Sequence, residues 1–470
     1  MKKFFLLLLL TVTLNAQSSI ENVQNKLEAL LADSFFDTTL IAVDIYDLST
    51  EQVLYQKNNK FLLHPASNMK VLTSAAALLY LGNEYQFETQ LFYTGKISGS
   101  TLKGNLYFRG SGDPDFNTDN LSAFVDAIKS LGVTRVEGNL YADISFKDSL
   151  FWGMGWMWDD DPSTDAPYLS ALNINGNTIT VSIIPDAAGD SIKIKLIPET
   201  EYFTIKNSSK LVDRVKNPFY VIRNYYDRKD EIIISGDIKK TQQSVARTFN
   251  VNAPHNYFLH LFKEQLKKNN ISFTGRIDTL TTPANAKHIH TFSRTYGQVI
   301  NELNKNSNNL NAEMTLYALG EKYFGRPSTA SKGIKMIDSL IIAAGLNPNN
   351  YRLVDGSGVS HYNLVTTELL LGVLKYFYYE QPELYRLLSD SFPFAGFDGT
   401  LRNRMRGSAA ENNVKAKTGT LSGISCLSGY VTSKNGNTVA FSIMIQNHFG
   451  KTSRATGYQN RICEILAEYE

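Results

Sequence analysis

A serine and a lysine three residues apart, Ser67 and Lys70, stand at the start of a strongly apolar repeat, and no other feature constrains the fold as much. The apolar residues that follow at helical spacing are Val71, Leu72, Ala75, Ala76, Leu78 and Leu79. Because Gly82 then interrupts the repeat, the segment predicts a mostly buried helix whose first turn holds Ser67. A second Ser-x-x-Lys, from Ser100 to Lys103, lies among turn and strand-like residues, and we interpret it as a chance match.

The spacing of Ser67 and Lys70 suits nucleophilic catalysis. An i, i+3 pair places the lysine amine on the same helix face as the serine hydroxyl, one turn further on. Burial and nearby cationic groups would lower the pKa of Lys70, so that its neutral amine could accept the serine proton. The positive end of the helix would stabilise an oxyanion at Ser67. The alternative reading is a capped helix with an exposed lysine.

Two later polar elements support the catalytic reading. Ser307 and Asn309 lie in a polar run ahead of a helix-like stretch, and both could face a cleft, although an N-cap cluster has the same composition. Lys417 lies in an alternating, strand-like segment that continues with Thr418, Gly419 and Thr420. A glycine in a strand permits close approach of a ligand backbone, and the lysine with the two threonine hydroxyls would bind a carboxylate. A solvated edge strand is the alternative here.

Together, these three elements resemble those of the penicillin-binding proteins and serine β-lactamases. The chain is most similar to the class C low-molecular-mass D-alanyl-D-alanine carboxypeptidases, which also act as endopeptidases. Further segments that carry this resemblance are Gly110–Pro114, Gly155–Asp160, Asp355–Ser360 and Gly399–Leu401. One departure is Asn308, where the subgroup usually has aspartate. The resemblance covers nearly the whole chain after its first residues.

The resemblance implies an α+β fold. A penicillin-binding protein or serine β-lactamase-like catalytic domain, an antiparallel sheet with helices, would carry a large β-rich insertion. It also implies a serine D-alanyl-D-alanine carboxypeptidase and endopeptidase that acts on peptidoglycan stem peptides and cross-links through an acyl-enzyme on Ser67. Penicillin and other β-lactams would be covalent inhibitors, and no cofactor or metal would be needed.

The resemblance further implies which residues form the site. The catalytic set is Ser67, Lys70, Ser307, Asn309 and Lys417, and the substrate-binding set is Thr418, Gly419, Thr420, Asp160, Asp159 and Trp158. In the family, an aspartate of the acidic aromatic segment meets the side-chain amino group of a diamino acid in the wall peptide. Asp160 matches that position best and Asp159 is the second choice, whereas a solvated turn is the simpler reading of the segment.

Two other functions are compatible with these elements. A β-lactamase must hydrolyse its acyl-enzyme quickly, and class A enzymes use a glutamate in a Glu-x-x-Leu-Asn segment that this sequence lacks. A wall-binding or lactam-sensing protein could keep the three elements without turnover. The intact set of elements favours an active enzyme.

The amino terminus resembles an export signal. Two lysines after Met1 precede an apolar run, Phe4–Leu10, and cleavage after Ala16 fits a small-residue site, although an uncleaved anchor is a possible alternative. We therefore expect a signal peptide at residues 1–16, export to the periplasm or cell envelope, and no transmembrane helix afterwards. Removing Lys2 and Lys3 takes the basic count from 47 to 45, equal to the 45 acidic residues, so nothing points to nucleic acid as a partner.

The cysteines and histidines give little further constraint. Cys426 and Cys463 could form a disulfide in an oxidising compartment or remain two buried thiols. His288 and His290 lack metal-ligand spacing. Oligomeric state is not encoded in any pattern of the sequence.

The distance between the elements predicts a split catalytic domain. We expect it at 17–88 and 285–470, with the β-rich insertion at 89–284. The insertion should contain two nested subdomains, about 89–108 with 180–284, and about 109–179. Its segments Lys103–Tyr107 and Glu137–Tyr141 echo each other, and we read these as recurrent strand ends and not as a solenoid.

Overall fold

A computed structural model describes residues 19–186 and 191–470. The predicted signal peptide at 1–16 lies outside the described residues. The chain divides into two compact units: the first holds the residues up to Asn83, Ile300–Asn308 and Gly333–Glu470, and the second holds Glu84–Val299 and Asn309–Lys332.

The elements are numbered in chain order. The helices are α1 (19–31), α2 Met69–Tyr80, α3 Leu121–Ser130, α4 Pro254–Lys268, α5 Tyr296–Lys305, α6 Asn309–Phe324, α7 Ala330–Ala343, α8 Thr367–Glu380, α9 Pro382–Ser391 and α10 Thr452–Ala467. The strands are β1 Leu40–Asp47, β2 Gln52–Lys57, β3 Gln86–Tyr93, β4 Lys96–Ser98, β5 Thr101–Lys103, β6 Leu106–Gly110, β7 Arg135–Glu137, β8 Leu140–Asp143, β9 Thr178–Pro185, β10 Ile192–Ile197, β11 Thr204–Asn207, β12 Lys210–Val212, β13 Tyr220–Arg223, β14 Glu231–Ser235, β15 Asp237–Lys239, β16 Val245–Asn250, β17 Ser272–Phe273, β18 Ile277–Thr279, β19 Lys287–Thr295, β20 Lys415–Leu421, β21 Ile424–Thr432 and β22 Thr438–Gln446.

The first unit is built on one antiparallel sheet in the order β2-β1-β22-β21-β20. Alternate residues of its strands, such as Ile443 and Leu427, share a core with α1 and α10. The residues between them, such as Met444, are also buried and face the opposite side. On that side the hydroxyl of Tyr430 donates to the carbonyl of Leu374 in α8. Because helices cover both faces, β21 and β22 are buried along nearly their whole length, including their serines.

The carboxyl-terminal helix is longer than its sequence suggested. We expected a closing helix from about Gln459, but α10 begins at Thr452. Its first turns carry few apolar residues and contain Gly457, which hides the helical period from sequence reading. Of the two readings for the cysteines, buried free thiols are correct. Cys463 lies in the core under α10, while Cys426 points away from that core.

The second unit combines several small sheets around α3 and α4. Its two main sheets have the orders β17-β7-β5-β4 and β18-β8-β6-β3-β19. Three smaller ones are β10-β9-β16, β11-β14-β13 and the pair β12-β15. The core contains an aromatic cluster in which the Phe108 ring lies 4.7 to 5.1 Å from the rings of Phe124, Phe258 and Phe262. The predicted β-rich character is confirmed.

The echoing segments of the sequence pass side by side from one main sheet to the other. A Cβ on Gly138 would lie 2.0 Å from the carbonyl oxygen of Gly104, and a Cβ on Gly275 would lie 1.7 Å from that of Gly138. Only glycine permits backbones this close. Strand β5 pairs with β7 before the crossing, and β6 pairs with β8 after it. The reading as recurrent strand ends is confirmed.

The boundaries of the units differ from those we predicted. Strand β3 pairs along its length with β19, so a division at 88 would cut β3 and one at 285 would separate β19 from its partner. Both strands belong to the second unit, which also takes α6. The amide of Asn311 in α6 donates to the Asp115 carboxylate there. Pairing of β5 with β7 and of β6 with β8 also crosses the predicted nested division at 108 and 109.

Within the ranges 19–186 and 191–470, no helix has both the length and the apolar character that crossing a membrane requires. Ser100 occupies a turn before strand β5, in agreement with its interpretation as a chance match.

Candidate active site

Ser67 lies at the turn that leads into helix α2. A short 3-10 turn, Ala66–Asn68, runs directly into the helix, and α2 is buried from Met69 to Leu78. Ala66 has a φ of 45°, a left-handed conformation that costs a non-glycine residue energy unless its surroundings hold it. The buried helix and the strand beside it supply that restraint, so the serine is held in place by a rigid element.

The amine of Lys70 is completely enclosed beside Ser67. Its Nζ lies 2.9 Å from Oγ of Ser67 and donates to the carbonyl of Ser357 at 2.7 Å. The lysine side chain is fully buried. The i, i+3 spacing therefore brings the hydroxyl and the amine into hydrogen-bonding distance, as the serine-lysine chemistry requires.

A second lysine and serine meet in the same unit. Nζ of Lys417 donates to Oγ of Ser307 and to the carbonyl of Thr418, both at 2.8 Å. Ser307 lies in the turn after α5 and has a φ of 58°. This left-handed backbone conformation sets the direction of its side chain. Burial and the positive charge of Lys70 hold the pKa of Lys417 well below its usual range. The amine of Lys70 thus lies close enough to that of Lys417 to influence its protonation.

Strand β20 closes against the serine turn through a glycine. A Cβ on Gly419 would lie 2.7 Å from the carbonyl oxygen of Pro65 and 3.1 Å from the backbone nitrogen of Ser67. Side chains alternate along the strand, so Lys417 shares the face of Gly419, and Thr418 and Thr420 share the other. Thr420 is exposed, and Thr418 is half-buried.

Two groups of the first unit that the sequence reading had not assigned to the site also lie in it. The hydroxyl of Thr400 lies 2.7 Å from that of Thr418. The carbonyl of Ser357 accepts from Lys70. Both belong to segments noted only for their resemblance to the family. A backbone carbonyl has no sequence signal, and the Thr400 contact joins a short 3-10 turn to strand β20 without any motif spacing, so only the resemblance of these segments pointed to them.

The remaining predicted site residues lie in the second unit. Asn309 begins α6, and its amide donates to the carbonyl of Asp165. Trp158 and Asp159 are exposed, and the Trp158 ring stacks on Tyr225 with 6.3 Å between centroids. A carboxylate oxygen of Asp160 accepts from the backbone N–H of Met157 at 2.7 Å.

The described part of the chain contains no group of three or more histidine, cysteine, aspartate or glutamate side chains that could hold a metal ion. The groups that meet beside Ser67 in the first unit are hydroxyls, amines and backbone carbonyls. A hydroxyl paired with an enclosed amine can form an acyl-enzyme, and the second lysine-serine pair can handle a proton or an anion.

Comparison with known proteins places this chain in a family. The sequence profile of the D-Ala-D-Ala carboxypeptidase 3 (S13) family matches residues 23–469, nearly the whole chain. The chain belongs to this family. The predicted family, fold class and enzyme class are thereby confirmed: the protein is a serine peptidase, a hydrolase of the D-alanyl-D-alanine carboxypeptidase type.

Individual S13 relatives agree over most of their length. The chain is 31% identical to a D-alanyl-D-alanine carboxypeptidase of Actinomadura sp. (strain R39), over 96% of this chain and 85% of that one. A D-alanyl-D-alanine carboxypeptidase of Haemophilus influenzae is 28% identical over 87% of each chain. The crystal structure of penicillin-binding protein 4 from H. influenzae matches with a TM-score of 0.82 and 26% identity, covering 96% of this chain and 99% of that one.

The fit at Gly419 gives a first test. The substitution Gly419→Ala should lower the rate constant for acylation by a fluorescent penicillin at least about tenfold, because the new methyl group displaces the turn that holds Ser67. Gly457→Ala is the matched control: nothing lies within 4 Å of its Cβ, so acylation should stay at the parental rate. Parental acylation by Gly419→Ala would contradict the close fit of strand and serine turn.

Proposed function

We propose that this S13 enzyme removes the terminal D-alanine from peptidoglycan stem peptides, and also cleaves cross-links between them, through an acyl-enzyme on Ser67. The observation that carries the proposal is the 2.9 Å contact between the Ser67 hydroxyl and the enclosed amine of Lys70. A hydroxyl is a weak nucleophile alone, and a base at hydrogen-bonding distance is what activates it. The family match over residues 23–469 supplies the substrate class.

In the proposed acylation step, the neutral amine of Lys70 takes the proton of Ser67. The serine oxygen then bonds to the carbonyl carbon between two D-alanines. Backbone N–H groups of Ser67 and Thr420 would hold the resulting oxyanion, by analogy with the family. A donor of this kind typically contributes about 3 to 4 kcal/mol to transition-state stabilisation.

The second lysine-serine pair serves the leaving group. Ser307, held at 2.8 Å by Lys417, relays a proton to the departing amine as the tetrahedral intermediate collapses. Asn309 holds the substrate amide. Water then attacks the ester on Ser67, and the shortened peptide leaves with the serine restored.

The terminal carboxylate of the substrate binds to Lys417, with Thr418, Gly419 and Thr420 alongside. Burial and Lys70 depress the pKa of Lys417 in the protein without substrate. An arriving carboxylate favours the ammonium form, so substrate binding and protonation of Lys417 reinforce each other. Any β-lactam carries a reactive amide, and those with a carboxylate satisfy the same groups. The H. influenzae structure of 25% identity in complex with a β-lactam supports this part of the proposal.

We also propose export to the periplasm or cell envelope, since stem peptides lie outside the cytoplasm and the first residues resemble a signal. No nucleic acid is expected as a partner, because the charges of the processed chain balance.

One experiment tests the proposal as a whole. The purified protein is incubated with a fluorescent penicillin and, separately, with a pentapeptide ending in two D-alanines. We expect a covalent adduct on the peptide that contains Ser67, and released D-alanine. Rapid hydrolysis of penicillin with no D-alanine released would indicate a β-lactamase, and an adduct with no turnover of peptide would indicate a lactam sensor.

Ser67→Ala should abolish labelling by penicillin, because it removes the hydroxyl to which we assign the nucleophilic attack. Ser100→Ala is the matched control, since Ser100 starts the other Ser-x-x-Lys of the chain. Intact-mass measurement and peptide mapping report the adduct. Labelling that survives Ser67→Ala, or disappears with Ser100→Ala, would contradict the assignment.

Replacement of each of the two lysines should impair a different property of the enzyme. Lys70→Ala removes the base and should slow acylation by about a hundredfold or more. Lys417→Ala should chiefly weaken discrimination between a peptide with a free terminal carboxylate and the same peptide amidated. The two rates are measured side by side for each protein. Equal reactivity of the parent protein toward both peptides would contradict the role of Lys417.

The acidic segment supplies a specificity prediction. Asp160, or Asp159 as the second choice, binds the side-chain amino group of a diamino acid in the stem peptide, with Trp158 beside it. Asp160→Asn keeps an oxygen that can accept from Met157, so it removes charge and little else. It should erase a preference of about ten- to a hundredfold for a free over an acetylated amine.

Asp159→Asn, measured with the same two peptides, separates the two candidates. If only Asp159→Asn erases the preference, the second choice is the ligand. If both variants discriminate as well as the parent protein, the segment is a solvated turn.

A further inference from the structure

The loop Asp355–Ser360 supplies two carbonyl groups to the face of helix α2 that carries Lys70. The carbonyl of Ser357 accepts from Nζ of Lys70 at 2.7 Å. The carbonyl of the preceding residue, Gly356, accepts from the hydroxyl of Thr73 at 2.7 Å. Lys70 and Thr73 lie three residues apart, so the loop follows the helix for one turn.

The Asp355 carboxylate fixes the shape of this loop. Its Oδ1 accepts from the backbone N–H of Gly358 at 2.8 Å and from the amide of Asn363 at 2.7 Å. Its Oδ2 accepts from the backbone N–H of Ser360 at 2.7 Å. Asp355 is 1% exposed, so water does not compete for these bonds. Together they hold the loop on both sides of Ser357.

Glycine at 358 lets the loop press against the serine turn. Gly358 has a φ of +85°, and a Cβ there would lie 1.8 Å from the carbonyl oxygen of Ala66. The loop therefore cannot move toward the helix without collision. Asp355 restrains it from within, so the position of the Ser357 carbonyl is fixed relative to Lys70.

We propose that Asp355 is a positioning residue for the lysine base, acting through the carbonyl of Ser357. A neutral amine has two N–H bonds and one lone pair. When one N–H donates to a fixed carbonyl, rotation of the amine is restricted and the lone pair can be directed at the Ser67 hydroxyl. The proton that leaves Oγ of Ser67 then passes along an existing hydrogen bond. This inference rests on the acyl-enzyme function proposed above.

A second aspartate of the first unit also accepts from two backbone N–H groups and one side-chain amide, without a catalytic neighbour. Asp47 Oδ1 accepts from the backbone N–H groups of Ser49 and Thr50 at 2.8 and 3.1 Å, and Oδ2 accepts from the amide of Asn437 at 2.8 Å. Asp47 is also fully buried. It stabilises a turn at the end of β1. Replacing Asp47 therefore shows the effect of losing a buried, turn-stabilising aspartate on stability alone, and any further effect of replacing Asp355 reports its role in catalysis.

The test compares Asp355→Asn with Asp47→Asn in the full chain. Each loses the same charge from an equivalent set of donors, so both should unfold at a lower temperature than the parent. Acylation by a fluorescent penicillin is followed by stopped flow from pH 5 to 10, which separates initial binding from the covalent step. For Asp355→Asn we expect the covalent step to slow at least about tenfold, with initial binding within about twofold and the half-maximal pH moved by about half a unit or more.

Asp47→Asn should acylate at the parental rate with the parental pH profile. A purely structural role for Asp355 would not move the half-maximal pH. The proposal is overturned if Asp355→Asn keeps the parental rate and profile, or if both variants slow the covalent step equally with no change of profile.

A milder variant decides the matter if Asp355→Asn does not fold. Asn363→Ala removes the amide that donates to Asp355 and accepts from the backbone N–H of Val354, and it leaves the backbone donors of Gly358 and Ser360 in place. It should slow the covalent step by a smaller factor and move the profile in the same direction, and an unchanged rate and profile would overturn the proposal. The parent protein is measured first: failure of its acylation at Ser67 would refute the proposed function, whereas parental behaviour of the variants would refute only the role of Asp355.

Discussion

The enclosure of two lysine amines in one small region is the constraint on which the first unit depends. Lys70 and Lys417 are both fully buried, and burial together with the charge of Lys70 depresses the pKa of Lys417. Burying an amine costs free energy unless polar partners surround it, and the partners here include the hydroxyls of Ser67 and Ser307 and two backbone carbonyls. Each partner comes from a different segment, so the helix, the turn after α5, the loop at 355–360 and strand β20 must all meet within a few ångströms.

That requirement explains why the scaffold is packed so closely around the serine. Glycines at 358 and 419 allow a loop and a strand to touch the turn that holds Ser67 at distances a side chain would forbid. The sheet beneath is covered by helices on both faces, which leaves little freedom for β20 to move. The nearby amide of Asn68 donates to Ser428 on β21 at 2.7 Å and ties the turn to the sheet. The precise position of the Ser67 hydroxyl thus depends on the packing of the whole first unit.

Much of this site could be read from the sequence, because its chemistry depends on local spacing. Ser67 and Ser100 share the same motif, and the residues around each serine separated them: an apolar helical repeat follows Ser67, whereas Ser100 lies among turn and strand-like residues. The sequence did not reveal contacts that only the folded backbone creates: the carbonyl of Ser357 carries no sequence signal, and the contact of Thr400 with Thr418 depends on how the turn at 399–401 packs against β20. The unit boundaries escaped for the same reason, since β3 and β19 are nearly 200 residues apart and only their pairing shows that they belong together.

The three consecutive aspartates at Asp159–Asp161 have different environments and different roles in the structure. Asp161 is buried, pairs with Arg223 and accepts from the hydroxyl of Tyr168 at 3.0 Å, so it serves the core. Asp160 uses one oxygen to accept from the backbone of its own turn. Asp159 is exposed and follows the exposed Trp158 in the chain. Two of the three carboxylates are therefore explained at least in part by folding. An ammonium bound at Asp160 would therefore share the carboxylate with the N–H of Met157, and the turn would hold that carboxylate in a fixed direction.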